Sequence, residues 1–246
     1  MKRITQALVV LAVIVGLAPV RAGSQAGGAL PTVDQVLDKA VAAIGGRAAL
    51  EKVTSRTVKG TIDIPDAGVS GTIELFEKAP NKNAVLVELG GMQIREAFDG
   101  QIGWDDNPQT GLREKTGTEL ADARRGATFN PELHMKTMYP KMTVRGREKV
   151  GTMDTIVIDA VPVDGAPAAF FFDVDTGLIV RHDATRESPQ GPVQVQVFFD
   201  DFRVVDGIKM PFVMRQVTSM FSMVIRIAEI KHNVTLDDQM FKKPGL

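Results

Sequence analysis

The chain has 246 residues, no cysteine, and 29 basic against 30 acidic side chains. Without cysteine there are no disulfides, no thiolate metal ligands and no acylated cysteine behind a signal sequence, so the fold rests on its core. The charge balance offers no electrostatic basis for binding nucleic acid or an anionic membrane surface.

Residues 1–22 read as a cleavable secretory signal: Lys2 and Arg3 form a basic start, Ala7–Val20 an apolar run, and Val20-Arg21-Ala22 a small-residue cleavage site. The apolar run is about 14 residues, short of the roughly 20 that a spanning helix needs. Cleavage removes Lys2, Arg3 and Arg21 from the 29 basic residues and no acid, leaving 26 against 30. The expected location is therefore the periplasm, or outside the cell, with no stable membrane insertion after cleavage. Residues 23–30 are a small, polar, flexible leader, and 31–246 carry no repeat or linker, so one domain is expected.

That domain opens on a helix. Thr32 and Gln35 have the spacing of a capping box beside Pro31, and Val33, Val36, Leu37, Ala40, Val41 and Ile44 share one helical face. Gly45-Gly46 ends it, and a short helix over Arg47–Val53 is predicted next. Period-two alternation then takes over. Val58, Gly60, Ile62 and Ile64 alternate with polar partners, as do Val69, Gly71, Ile73 and Leu75, and further strands are predicted near 83–89, 94–98 and 102–106. Asp99-Gly100 is a hairpin signal.

Between Thr116 and Tyr139 the period changes. A short helix is expected over Thr118–Arg125, then Asn130 as a cap with Pro131 at the first position of a second helix carrying Leu133, Met135, Met138 and Tyr139. Strands resume near 142–150, 153–161, 167–173, 179–186, 193–204, 208–218 and 221–232, with turn signals at Asp164-Gly165 and Asp206-Gly207. The pattern predicts an α+β, mostly β class: a curved antiparallel sheet of about a dozen strands, closed by short helices. So few helices cover such a sheet thinly, which predicts an apolar hollow with a movable cover.

Chemistry-bearing motifs are sparse. His134, His182 and His232 have no paired spacing, so no metal site is expected, and no cofactor. Asp175-Thr176-Gly177 after Phe170–Phe172 has the form of an aspartic-peptidase loop, but no second copy exists and the residues suit a hairpin turn. Asp173 and Asp175 lack the other ligands of a calcium loop. Asn233-Val234-Thr235 matches a glycosylation acceptor. No nucleophile–base pair is legible, so catalysis is not expected.

Several segments resemble the outer-membrane lipoprotein-sorting proteins, the LolA/LolB-like periplasmic carrier superfamily. They are Gly45-Gly46 with Leu50 and Val53, Lys59-Gly60-Thr61, Phe98-Asp99-Gly100 with Gly103-Trp104, and above all Asp206-Gly207-Ile208-Lys209-Met210-Pro211 followed by Asn233, Leu236-Asp237-Asp238, Phe241 and Pro244. The resemblance covers nearly all of the chain after the signal and implies a half-barrel of about eleven antiparallel strands, with helices covering its concave face, that shields acyl chains. The expected partner is the acyl chain of a lipoprotein or a lipid, with an envelope protein as donor or acceptor. A protein-binding sensor module of the envelope and, less favoured, an envelope hydrolase are the alternatives.

Alternation nominates Ile62, Ile73, Leu75, Val85, Val87, Phe98, Trp104, Phe170, Phe172, Val195, Val197, Phe199, Met223 and Ile225 as lining of the hollow. Leu133, Met135 and Met138 are nominated as its lid.

Overall fold

The alternating segments become thirteen strands of a single antiparallel sheet in the computed structural model, which describes residues 29–187 and 191–245. The signal over 1–22 and nearly all of the leader over 23–30 lie outside the described residues. The first group of strands is β1 (Ser55–Ile64), β2 (Val69–Lys78), β3 (Lys82–Leu89), β4 (Met92–Phe98), β5 (Gly103–Asn107) and β6 (Gly111–Glu114). The second is β7 (Lys141–Val150), β8 (Met153–Val161), β9 (Ala168–Asp173), β10 (Ile179–Arg186), β11 (Val193–Val205), β12 (Ile208–Val217) and β13 (Ser222–His232). Thirteen replaces the expected count of about eleven. One addition is β6, whose four residues Gly111–Glu114 are too short to show alternation.

The strand order is β6-β5-β4-β3-β2-β1-β13-β12-β11-β10-β9-β8-β7. Each group is a meander, and the two join where the first strand pairs with the last, Ile62 opposite Ile225. β6 and β7 are consecutive in the chain yet form opposite edges of the sheet. The segment between them must therefore cross the whole sheet, and it is this crossing that supplies the cover. It contains α3 (Gly117–Gly126), a 3-10 turn (Pro131–Leu133) and α4 (Met135–Met138). The predicted single helix after Asn130 is thus a 3-10 turn followed by one helical turn. Asn130 does stand at the cap position with Pro131 first in the turn, but it sits at φ 47 and its side chain makes no cap bond, its amide donating instead to the Leu50 carbonyl at 2.8 Å.

At the N-terminal end, α1 (Val33–Ala43) has the reciprocal capping box that the sequence promises: Thr32 Oγ1 accepts from Gln35 N at 3.2 Å, and Gln35 Oε1 accepts from Thr32 N at 2.8 Å. α2 (Arg47–Leu50) is shorter than the predicted Arg47–Val53. Between them, Gly45 has φ +126, and a Cβ there would meet the Gly207 carbonyl oxygen at 2.4 Å. Lys209 N donates to Ile44 O at 2.8 Å across the same contact. Two turn signals 160 residues apart in the chain, Gly45-Gly46 and Asp206-Gly207, are one joint that docks α1 on the β11–β12 turn.

Helix-side packing is apolar over β7–β10. Val36, Leu37 and Ala40 of α1, with Met135 and Tyr139, pack on Ile156, Ile158, Phe170 and Phe172. The opposite face of these strands buries Val157 and Phe171 beneath an alternating stack, with Arg181 over both Phe171 (4.5 Å) and Phe198 (5.3 Å) and Arg215 over Phe198 (4.1 Å). Across the N-terminal wing the C-terminal segment is the cover: Leu236 and Phe241 pack on Ala84, Ala97 and Trp104, on the face away from the helices. No described helix is long and apolar enough to cross a membrane.

Candidate ligand cavity

Three alanines in register explain why the helix-bearing face is hollow. Ala160 pairs with Ala168, and Ala168 with Ala184, so a stripe of single methyl groups runs across β8, β9 and β10. Above it, Ala40 of α1 is equally small. A cavity of about 270 Å³ occupies the space left between this floor and the roof of α1, the C-terminal end of α3, the Pro131–Leu133 turn and α4. Ile44, Met135, Met138 and Tyr139 form the roof, Phe170 and Ile179 continue the floor, and Phe199, Phe202 and Pro211 form the far wall. A cavity of ~150 Å³ accepts one benzene ring, so this one has room for on the order of ten carbons.

A few polar groups reach the lining. His182 stacks flat on Phe170, with ring centroids 4.4 Å apart and planes 4° apart. Its Nε2 is buried with no hydrogen-bond partner. Burial, with help from Arg186 and Arg125, lowers its pKa from 6.5 to about 4, so the ring is neutral at physiological pH. Tyr139 stands edge-on to Phe170 at 5.3 Å, and burial raises its phenol pKa. Glu132 sits deep at the roof, where burial pushes its carboxyl up despite Arg56 nearby. Arg56 is itself buried; burial opposes its charge, but Glu77 at 2.6 Å outweighs that and raises its pKa. At the mouth lie Asp122, Arg125 and Arg186. Arg125 is ion-paired to Asp122 and donates through Nη1 to the Asp164 carbonyl at 2.7 Å, tying α3 to the β8–β9 turn. That turn also supplies Ala166 to the cavity wall.

The register places the nominated residues. Ile62, Ile73, Leu75, Val85, Val87 and Phe98 share one face of β1–β4, and Ile225, Met223, Val197, Phe199 and Val195 continue it through β13 and β11 to Phe170 and Phe172. This is the face against which the helices pack. Trp104 is a correction: it pairs with Ala97 and Ala97 with Ala84, on the opposite face, where its Nε1 donates to the Phe241 carbonyl at 2.9 Å. Alternation alone has no sign, and only the position of the C-terminal segment reveals which side of β5 is outer.

Of the nominated set, Met135, Met138, Phe170 and Phe199 line the cavity. Phe172 is closed off beneath the helices, and Leu133 packs instead with Leu50, Val53 and Phe129. The other nominated residues of the shared face, Ile62 to Phe98 with Val195, Val197, Met223 and Ile225, lie outside the cavity. Sequence reading missed Ala40, Ala168, Ala184 and His182. The alanines carry no chemical signal, since their importance is the volume they leave. His182 has no motif around it.

A second hollow, of about 290 Å³, opens where α3 stands over β3–β6. It is polar. Asn83, Glu96, Asp105, Arg113 and Lys115 line it from the strands, Glu119 and Asp122 from α3, and Arg186 and Glu187 from the end of β10. Arg113 pairs with Glu119 (2.5 Å) and Asp105 (2.8 Å), and Lys115 with Glu96 (2.6 Å). Asp122, Gly126 and Arg186 line both hollows, so the apolar cavity and the polar cleft adjoin beneath the last turn of α3.

No known protein-family model matches the sequence, and no curated protein matches it. Solved structures do. A LolA superfamily protein from Nitrosomonas europaea aligns at a TM-score of 0.57 with 17% identity, over 87% of this chain and 99% of its own. The two chains share a fold. A DUF1329 family protein from Desulfovibrio piger aligns with this chain as well (TM-score 0.56, 16% identity, 85% and 97% coverage). So does an outer membrane lipoprotein-sorting protein domain from Vibrio parahaemolyticus (0.55, 11%, 85% and 95%). The LolA-like half-barrel expected from the sequence is thus the architecture observed. The hairpin reading of Asp173–Gly177 also stands: Gly177 N donates to Asp173 O at 2.8 Å, and Asp173 Oδ2 accepts from Thr176 N at 2.9 Å.

Proposed function

We propose that the protein is a carrier that shields the acyl chain of a lipid or lipoprotein in the periplasm. The observation that supports this reading best is the apolar cavity of about 270 Å³ between the alanine stripe and the helical cover. Near ten methylenes at ~0.8 kcal/mol each, transfer of a tail into it gains about 8 kcal/mol before ordering costs. That magnitude permits firm yet reversible carriage. Among the described residues, His182 is stacked on Phe170 and no acid or hydroxyl is hydrogen-bonded to its Nε2, which agrees with a role in contact. Met135 and Met138, unbranched and polarizable, are suited to tails of variable shape. The LolA-like fold, shared with a lipoprotein-sorting domain, agrees with this reading.

Native mass spectrometry of the protein purified from its own envelope tests it. The expected result is a mass increment that organic extraction removes and that lipid analysis assigns to acyl-bearing molecules. An Ala184→Phe variant, which fills the cavity from the floor, should emerge without that increment. Wild-type protein free of lipid, and unable to take up an added acyl chain, would refute the reading.

A further inference from the structure

The polar cleft beside the apolar cavity contains two kinds of unused group. Most of its charges are satisfied internally: Glu96 by Lys115, Asp105 and Glu119 by Arg113, and Asp122 by Arg125. Among the described residues, Arg186 and Glu187 have no ion-pair partner, and they are neighbours at the end of β10. Arg186 belongs to the lining of both hollows, while Glu187 lines only the cleft. Passing outward from the tail cavity, a ligand therefore meets a free cation and then a free anion. Further in, Arg113 Nε is buried without a hydrogen bond, while Asp105 Oδ1 lies 2.8 Å from Arg113 Nη2 in an ion pair. Buried polar atoms normally find partners, so this end of the cleft holds an unused donor.

We propose that the cleft is the head-group site for the amphiphile whose tail enters the apolar cavity, and that it selects a zwitterionic head with an anionic group at Arg186 and an ammonium at Glu187. The inference rests on the cavity reading above and adds the class of head. Charge arithmetic at the junction excludes the simpler heads. A purely anionic head would gain Arg186 but stand against unpaired Glu187, and a purely cationic head would meet the reverse. An uncharged head would leave both charges unused. An aminoalkyl phosphate satisfies both, and its oxygens are acceptors of the kind that the Arg113 Nε–H lacks.

Isothermal titration calorimetry with four dodecyl probes, each below its micelle concentration, separates the two claims: dodecylphosphoethanolamine, dodecyl phosphate, dodecylamine and dodecanol. The phosphoethanolamine compound should bind about tenfold tighter than dodecanol, the worth of one charge-assisted hydrogen bond, and tighter than either singly charged probe. Arg186→Gln should abolish its advantage over dodecylamine, and Glu187→Gln its advantage over dodecyl phosphate. Circular dichroism and a urea unfolding curve report that each variant is folded. Equal affinity for all four probes, or a preference that survives both substitutions, overturns the head-group site while the tail cavity stands. Failure of every probe to bind overturns the cavity reading and this inference with it.

Discussion

Two hollows lie on the same face of the same sheet, yet one is apolar and the other charged. Over β8–β10 the face-forming positions are Ala160, Ala168, Ala184, Phe170 and His182, and the helices above contribute Ala40, Met135 and Met138. Over β3–β6 the corresponding positions are Asn83, Glu96, Asp105 and Arg113, and α3 contributes Glu119 and Asp122. The two wings are covered differently as a result. The apolar wing buries its helix-bearing face, so its core and its cavity are the same layer. The polar wing buries Phe98 beside its charged positions and is also covered from behind, where Leu236 and Phe241 of the C-terminal segment pack on Ala84, Ala97 and Trp104. A wing covered from behind is free to carry charge in front.

That contrast is most directly broken at Phe241. The side chain is fully buried in the rear cluster, and its carbonyl accepts the Trp104 indole N–H. Phe241→Ala should cost about 3–5 kcal/mol of unfolding free energy, measured by urea denaturation. The same experiment on Ala184→Phe should show a far smaller change, because that side chain enters existing space. Equal losses from both would mean that the wings do not differ in this way.

A pH scan sharpens the same division. The His182 pKa falls from 6.5 in the unfolded chain to about 4 in the folded one. Between these values the unfolded chain binds the extra proton, so stability rises with pH across this window and falls on acidification from about 6.5 toward 4. The full contribution approaches roughly 3 kcal/mol at 1.36 kcal/mol per pKa unit. Glu132 acts in the opposite sense: its carboxyl is raised by burial, so the folded state retains a proton that the unfolded chain releases, and stability falls as pH rises there. Comparing wild type with His182→Gln between pH 4 and 7 isolates the histidine, and identical slopes for the two proteins would deny it this role.

The smallest effect is expected at Asp238, which bridges Lys78 (2.8 Å) and Lys82 (2.9 Å) from the C-terminal segment to the polar wing. Hydrogen bonds from these lysines depress its carboxyl to about 2. The bridge is present above the ordinary carboxylate pKa and is lost as pH falls through about 2. Because the pair is exposed, Asp238→Asn should lower the melting temperature only slightly, and less in high salt. A large, salt-independent loss would show that the segment is held by more than its apolar contacts.

Much of this architecture was legible before any coordinates. Alternation located most of the strands to within a few residues, Thr32 and Gln35 announced the first helix, and the change of period after Thr116 announced the cover. Period two assigns residues to one of two faces, and register carries that choice from strand to strand, which is why the nominated positions from Ile62 through Ile225 to Phe170 fall together. Trp104 fell on the wrong side because β5 is five residues long and nothing within it says which face the C-terminal segment will take. β6 was invisible for the same reason of length, and Asn130-Pro131 does start a turn, but a 3-10 one whose Asn130 side chain serves Leu50.

By itself, then, the sequence determined the antiparallel sheet, the helical crossing from one group of strands to the other, and the face that the alternating apolar residues share. Those properties follow from local chemistry repeated along the chain. Only the tertiary structure decided where that face is empty, because a void depends on what stands opposite a small residue. Ala40, Ala168 and Ala184 come from three distant segments, and none signals a cavity alone. The adjacency of the apolar cavity to Arg186 and Glu187 was likewise decided in three dimensions, where the β6-to-β7 crossing brings the end of α3 over the end of β10.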